Sequence, residues 1–97
     1  MRMLFFYLVN IIGKYQGKVF EDRDVKFVIG EGAENGVVEG VDIAVKKFKK
    51  GEVSVLKIKS KYGYGTEGNK EFGIPGNADL EYQVKLNEFE KVNSKRL

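Results

Sequence analysis

Only one stretch of the chain repeats its apolar residues at helical spacing. Val41, Ala44, Val45 and Phe48 fall at i, i+3, i+4 and i+7, a single stripe on one helix face. Most other apolar residues alternate with period two: Val25, Phe27 and Ile29; Leu56 and Ile58 opposite Val53 and Val55; and Leu80, Tyr82, Val84 and Leu86. One short helix can cover only one face of a sheet, so the pattern predicts a two-layer α+β architecture with an antiparallel sheet. Ninety-seven residues allow one domain with one core. Gly51 is expected to end the helix, with Lys46, Lys47, Lys49 and Lys50 in its last turn beside the negative end of the dipole.

The N-terminal run at 1–12 is aromatic and β-branched, and reads as a strand buried on both faces. One arginine before a short apolar run is also the outline of a secretory signal, although no small-residue cleavage site follows. Residues 14–17 form a turn, and the charges at 21–24 are expected to interrupt the extended chain before a second strand at 25–29. Residues 30–36 form a loop, 53–59 a strand, 80–86 a half-buried strand, and 90–97 a polar tail.

Composition removes several chemistries. Cysteine is absent, which excludes disulfides and thiolate metal sites and fits a reducing compartment. Histidine is absent as well, and with it the commonest general base and neutral metal ligand. No metal or cofactor is expected. The net charge of +3 comes from lysines scattered among acids, and the cluster at 46–50 is too narrow for a nucleic-acid or membrane surface.

The stretch 61–78, KYGYGTEGNKEFGIPGNA, is too long for an ordinary connector. Its Tyr62, Tyr64, Phe72 and Ile74 need something to pack on, and it holds the only proline, Pro75. Gly63, Gly65 and Gly68 spell GxGxxG after a strand, but no helix follows to hold a phosphate, so these glycines read as turn positions or close backbone approaches. Glu31, Glu34, Glu39 and Asp42 read as solvated loop and helix-start charges, with no spacing that implies a catalytic pair.

Phe20, Phe27, Tyr64, Phe72 and Tyr82 come from distant segments and must converge near the sheet and helix. Phe27 reads as core, whereas Tyr64 and Phe72 are better placed to line an open pocket. Such a pocket suits one reaction that needs no acid, base, nucleophile or metal. Amide resonance makes the peptide bond planar behind a barrier of roughly 18–20 kcal/mol. An apolar, water-excluding bowl disfavours the polar planar amide relative to the twisted transition state. Prolyl cis/trans isomerisation fits that description.

The segments GKVFE at 17–21, KFVIGEG at 26–32, VVEGVDIAV at 37–45, KKGE at 49–52, YGYGTEG at 62–68 and IPGNADLEYQVKL at 74–86 resemble the FKBP-type immunophilins. The loop versions GEGAENG and KEFGIPGN are most similar to the second FKBP domain of large immunophilins that carry tetratricopeptide repeats. The resemblance implies a twisted antiparallel sheet wrapped around one short helix, lacking the usual first strand. It implies an FKBP-type domain at 13–91, between a divergent strand at 1–12 and a polar tail at 92–97. It places Phe20, Glu21, Val37, Val38, Val41, Tyr64, Phe72 and Tyr82 at a substrate pocket, with the Val38 amide and the Tyr64 hydroxyl as donors to substrate.

Where active members carry a tryptophan this chain has Val41; for a tyrosine it has Ile11, for a phenylalanine Val25, for an aspartate Glu21, and for a second proline Gly76. The resemblance therefore implies weak peptidyl-prolyl isomerase activity, the alternative being a non-catalytic interaction or spacer module. Implied partners are proline-containing segments, tacrolimus-type macrolides bound weakly, and a chaperone complex reached through a parent protein. The implied location is the cytoplasm, or the secretory route if 1–12 is a signal.

Overall fold

The computed structural model describes residues 3–93. Four strands, β1 (Met3–Tyr15), β2 (Lys18–Val28), β3 (Val53–Ile58) and β4 (Leu80–Asn93), form one antiparallel sheet in the order β2-β1-β4-β3. Among the described residues a single helix, α1 (Glu39–Val45), lies between β2 and β3 in sequence, with 3-10 turns at Gly32–Asn35 and Ser60–Tyr62. The α+β architecture read from the apolar periods is the one observed.

β1 and β2 are joined by a two-residue turn, Gln16-Gly17, with φ of 50° and 80°. Positive φ at both central positions marks the hairpin turn whose twist matches that of the strands. The core lies between the sheet and α1. Val9 and Ile11 of β1, Val25 and Phe27 of β2, and Tyr82, Val84 and Leu86 of β4 are buried beneath Val41 and Val45 of the helix. Leu56 and Ile58 turn inward while Val53 and Val55 face solvent, as the alternation in β3 predicts.

Four local expectations need correction. The helix stops at Val45, one turn short of the apolar stripe. Lys47 and Phe48 donate to the carbonyls of Ala44 and Val45, i to i−3 bonds that tighten the end into a 3-10 turn and put the lysine cluster beyond the helix. β1 is buried on one face only, because the helix leaves the other side of the sheet to solvent, where Leu8 is exposed. The charges at 21–24 do not interrupt β2: Asp22 and Asp24 take the solvent side of a continuous strand. Glu90 to Asn93 likewise stay in β4, paired with Phe6 to Met3 of β1, and positions 94–97 of the expected tail lie outside the described residues.

Asp42 is not a solvated helix-start charge. It is buried, and its carboxylate accepts the backbone N–H groups of Gly30 and Gly32, both at 2.9 Å. The bonds clamp the β2–α1 connection, which sets the position of Val37, Val38 and the helix start.

Candidate functional site: an aromatic bowl beside a buried tyrosine

A bulge in β2 builds the site. The β1–β2 register passes from Gly13 opposite Glu21 to Lys14 opposite Val19, so Phe20 is the extra residue. In a regular strand Phe20 and Glu21 would point to opposite faces; the bulge turns both toward Tyr82. The Phe20 ring meets the Tyr82 ring edge-on at 5.8 Å, and the Tyr82 hydroxyl donates a 2.5 Å hydrogen bond to Oε2 of Glu21. Gly13 permits this meeting, since a Cβ there would lie 2.7 Å from the Phe20 ring and 2.8 Å from the Tyr82 ring.

The 61–78 stretch supplies the other two rings. Tyr64 and Phe72 lie 6.2 and 5.3 Å from Phe20 between ring centroids, and 6.5 Å from each other. The stretch folds back as a small hairpin in which Asn69 and Ile74 exchange both backbone hydrogen bonds at 2.8 Å. The Asn69 side chain accepts the Phe72 N–H, and buried Ile74 anchors the far limb in the core. At the base the Asn77 N–H donates to Gly65 O, and a Cβ on Gly76 would sit 2.1 Å from Thr66 O, so this position admits only glycine. The GxGxxG amides are committed internally. Gly63 and Gly65 donate to Ser60 O and Gly68 to Tyr64 O, so no anion cradle exists.

The polar groups of the site are tied to one another. Glu21 is buried and is also held by Nε of Arg23 at 2.9 Å, while Nη2 of Arg23 reaches Asn35 O at 2.8 Å. Burial, reinforced by the hydroxyl's bond to Glu21, pushes the Tyr82 hydroxyl far above its ordinary range. Burial also raises Tyr64, with the neighbouring Tyr82 hydroxyl opposing and the Glu21 charge adding to the rise. At neutral pH both tyrosines are therefore neutral and can donate hydrogen bonds.

The open space is a bowl of about 540 Å³ walled by Phe20, Glu21, Arg23, Tyr64 and Phe72. A second hollow of about 510 Å³ lies across the Phe20–Phe72 ridge, against Tyr15, Val19 and Ile74. The expected pocket residues thus divide. Phe20, Tyr64, Phe72 and Tyr82 converge with Glu21, whereas Val37, Val38 and Val41 are packed into the core and line neither hollow. Arg23, Asn69 and Gly13 were not anticipated. The strand spacing Glu21-x-Arg23 and a glycine inside a strand were the available signals.

A family described as FKBP-type peptidyl-prolyl cis-trans isomerase matches residues 6–87. The chain belongs to this family. Its FKBP domain is 52% identical over 81 residues to FK506-binding protein 59 of Drosophila melanogaster, covering 84% of this chain and 18% of that protein. It is 39% identical over 84 residues to human peptidyl-prolyl cis-trans isomerase FKBP4, covering 87% of this chain and again 18% of the relative. The chain thus spans less than a fifth of the length of these relatives. The crystal structure of the three FKBP domains of wheat FKBP73 superposes with a TM-score of 0.80 at 36% identity, over 90% of this chain and 39% of that one. A peptidyl-prolyl cis-trans isomerase from Pseudomonas syringae, 22% identical with a TM-score of 0.74, shares the fold.

Proposed function

We propose that this FKBP domain binds X-Pro segments in the bowl formed by Phe20, Tyr64 and Phe72 and interconverts their cis and trans forms slowly. The convergence of these rings from β2 and the 61–78 hairpin carries the reading. An X-Pro amide held against them leaves water. Its planar, charge-separated form loses solvation that the twisted form needs less, and the barrier to rotation falls. The Tyr64 hydroxyl, neutral at physiological pH, is placed to donate to a substrate carbonyl. The Val38 amide, at the N-cap of α1 and outside the helix's own ladder, is the second candidate donor.

Slow turnover follows from the floor. Tyr82 and Glu21 satisfy each other, and α1 adds no residue to the bowl's wall, its Val41 being buried in the core. A substrate ring rests on a shallow shelf instead of in a deep slot. A protease-coupled isomerisation assay on a proline peptide is expected to show a rate above buffer that falls in Tyr64→Phe. A rate equal to buffer would overturn catalysis.

The same floor supports a second reading, a non-catalytic interaction or spacer module of a larger, chaperone-associated cytoplasmic immunophilin. That reading predicts no chemical-shift change at Phe20, Tyr64 or Phe72 on titration with tacrolimus or a proline peptide. Shifts at these rings would exclude it.

A further inference from the structure

The hollow across the Phe20–Phe72 ridge has no part in the chemistry of the bowl, yet it is built from the same side chains. Its volume, about 510 Å³, is close to the bowl's 540 Å³, and the two share Phe20, Glu71 and Phe72, so a single row of side chains separates them. Tyr15, Lys18, Val19 and Ile74 supply most of the remaining wall. Two hairpins hold that wall in place. Tyr15 pairs with Lys18 in the β1–β2 register beside the Gln16-Gly17 turn, and Asn69 and Ile74 exchange two hydrogen bonds in the other hairpin. The hollow is therefore preformed, as binding sites for small groups usually are.

Apolar surface and charge follow an order along it. The rings of Tyr15, Phe20 and Phe72, with Val19, 55% exposed, and buried Ile74, offer a seat to an aromatic side chain. Glu71 stands in the shared row, whereas Lys18 lines only the second hollow. Among the described residues neither charge has an ion-pair partner. An acidic residue of a bound segment is thus disfavoured at the crossing and favoured beyond it.

We propose that the second hollow is a specificity subsite of the bowl: it takes an aromatic side chain two residues from the proline of the same bound segment, with an acidic residue next along the chain meeting Lys18. The inference rests on the reading of the bowl as the proline site. A segment held by its proline must leave the bowl, and across this row of rings the aromatic surface continues. Side chains of an extended segment point the same way at every second residue, so the residue two along from the proline faces the hollow while the proline faces the bowl. Two residues of extended chain cover roughly 7 Å. That is the scale of a row whose own rings lie 5.3 Å apart.

The test uses the whole 97-residue chain, 15N-labelled. The probe is an acetylated, amidated heptapeptide whose central proline is followed outward on both sides by alanine, phenylalanine and aspartate, so either chain direction presents the pattern. Titration is expected to shift the amides of Tyr64 and Phe72 together with those of Tyr15, Lys18 and Val19. With alanine in place of both phenylalanines, Tyr64 should still shift, Tyr15 and Val19 should not, and affinity should fall about tenfold. With lysine in place of both aspartates affinity should fall roughly two- to fivefold, and Lys18→Glu should reverse that preference. The proposal is overturned if the alanine peptide binds as tightly as the probe, if Tyr15, Lys18 and Val19 stay unshifted while Tyr64 responds, or if Lys18→Glu keeps the preference for aspartate. Each of these outcomes leaves the bowl standing as the proline site. Silence at Tyr64 and Phe72 with every peptide overturns the bowl reading and the subsite with it.

Discussion

The Tyr82 hydroxyl donates to the Glu21 carboxylate across 61 positions of sequence, joining the central strand β4 to the bulged edge strand β2. Glu21 lines the aromatic bowl, and its bond to the completely buried Tyr82 is a polar contact inside the core that stabilises the fold.

Tyr82→Phe keeps the ring against Phe20 and deletes the donor. Glu21 retains Arg23 but loses its buried partner, and a buried acceptor left short of a donor costs about 1–3 kcal/mol. Urea unfolding is expected to show that loss as a lower midpoint with an unchanged slope. A midpoint equal to the parent's would mean that water replaces the hydroxyl at no cost.

The same tyrosine sets a limit at high pH. Its hydroxyl is held above the ordinary 10.0 in the folded chain, so above pH 10 the unfolded chain gives up a proton that the native chain keeps. The unfolded state then binds fewer protons, and stability falls as pH rises. The contribution is complete below pH 10 and declines above it by up to about 1.4 kcal/mol per pH unit for each such tyrosine. Tyr64, raised in the same direction, adds to the slope. Urea midpoints between pH 8 and pH 11 should decline less steeply in Tyr82→Phe than in the parent, the lysines affecting both alike.

Asp42 carries a second structural role. Its carboxylate takes two backbone donors, and hydrogen bonds to a charged group are each worth about 1.5–3 kcal/mol. Asp42→Ala is expected to cost about 3 kcal/mol and to speed hydrogen exchange at Gly30 and Gly32. Asp42→Asn, which keeps one acceptor, should lose less. Exchange unchanged in the alanine variant would show that the loop holds its shape without the clamp.

What the sequence revealed followed from period and composition. The alternation of Leu80 to Leu86 and the stripe of Val41 and Val45 report burial directly, so the two layers and most of the core were legible. The convergence of Phe20, Tyr64, Phe72 and Tyr82 could be suspected from their types and spread, but its cause could not. A bulge is a register defect between two strands, and nothing within β2 alone marks Phe20 as the extra residue. Asp42 was misread for a related reason: an acid at a helix start looks the same whether water or two loop amides receive it. The valines mark the limit of arguing by position. Val37, Val38 and Val41 hold the expected places along the chain, yet their side chains are packed into the core and line neither hollow.

Val41→Trp tests that last point. From sequence alone the substitution restores an aromatic floor and should gain affinity for tacrolimus. In the folded chain Val41 is completely buried in the core with Val45 and lines neither the bowl nor the hollow beside it. An indole there must displace neighbours, and overpacking of this kind costs about 1–3 kcal/mol, with the indole N–H left to find an acceptor. The variant is expected to unfold at lower urea concentration and to bind tacrolimus no better than the parent. A gain in affinity with an unchanged midpoint would show that Tyr82 swings away from Glu21 at little cost, so that the bowl deepens when an aromatic ring is supplied from the helix.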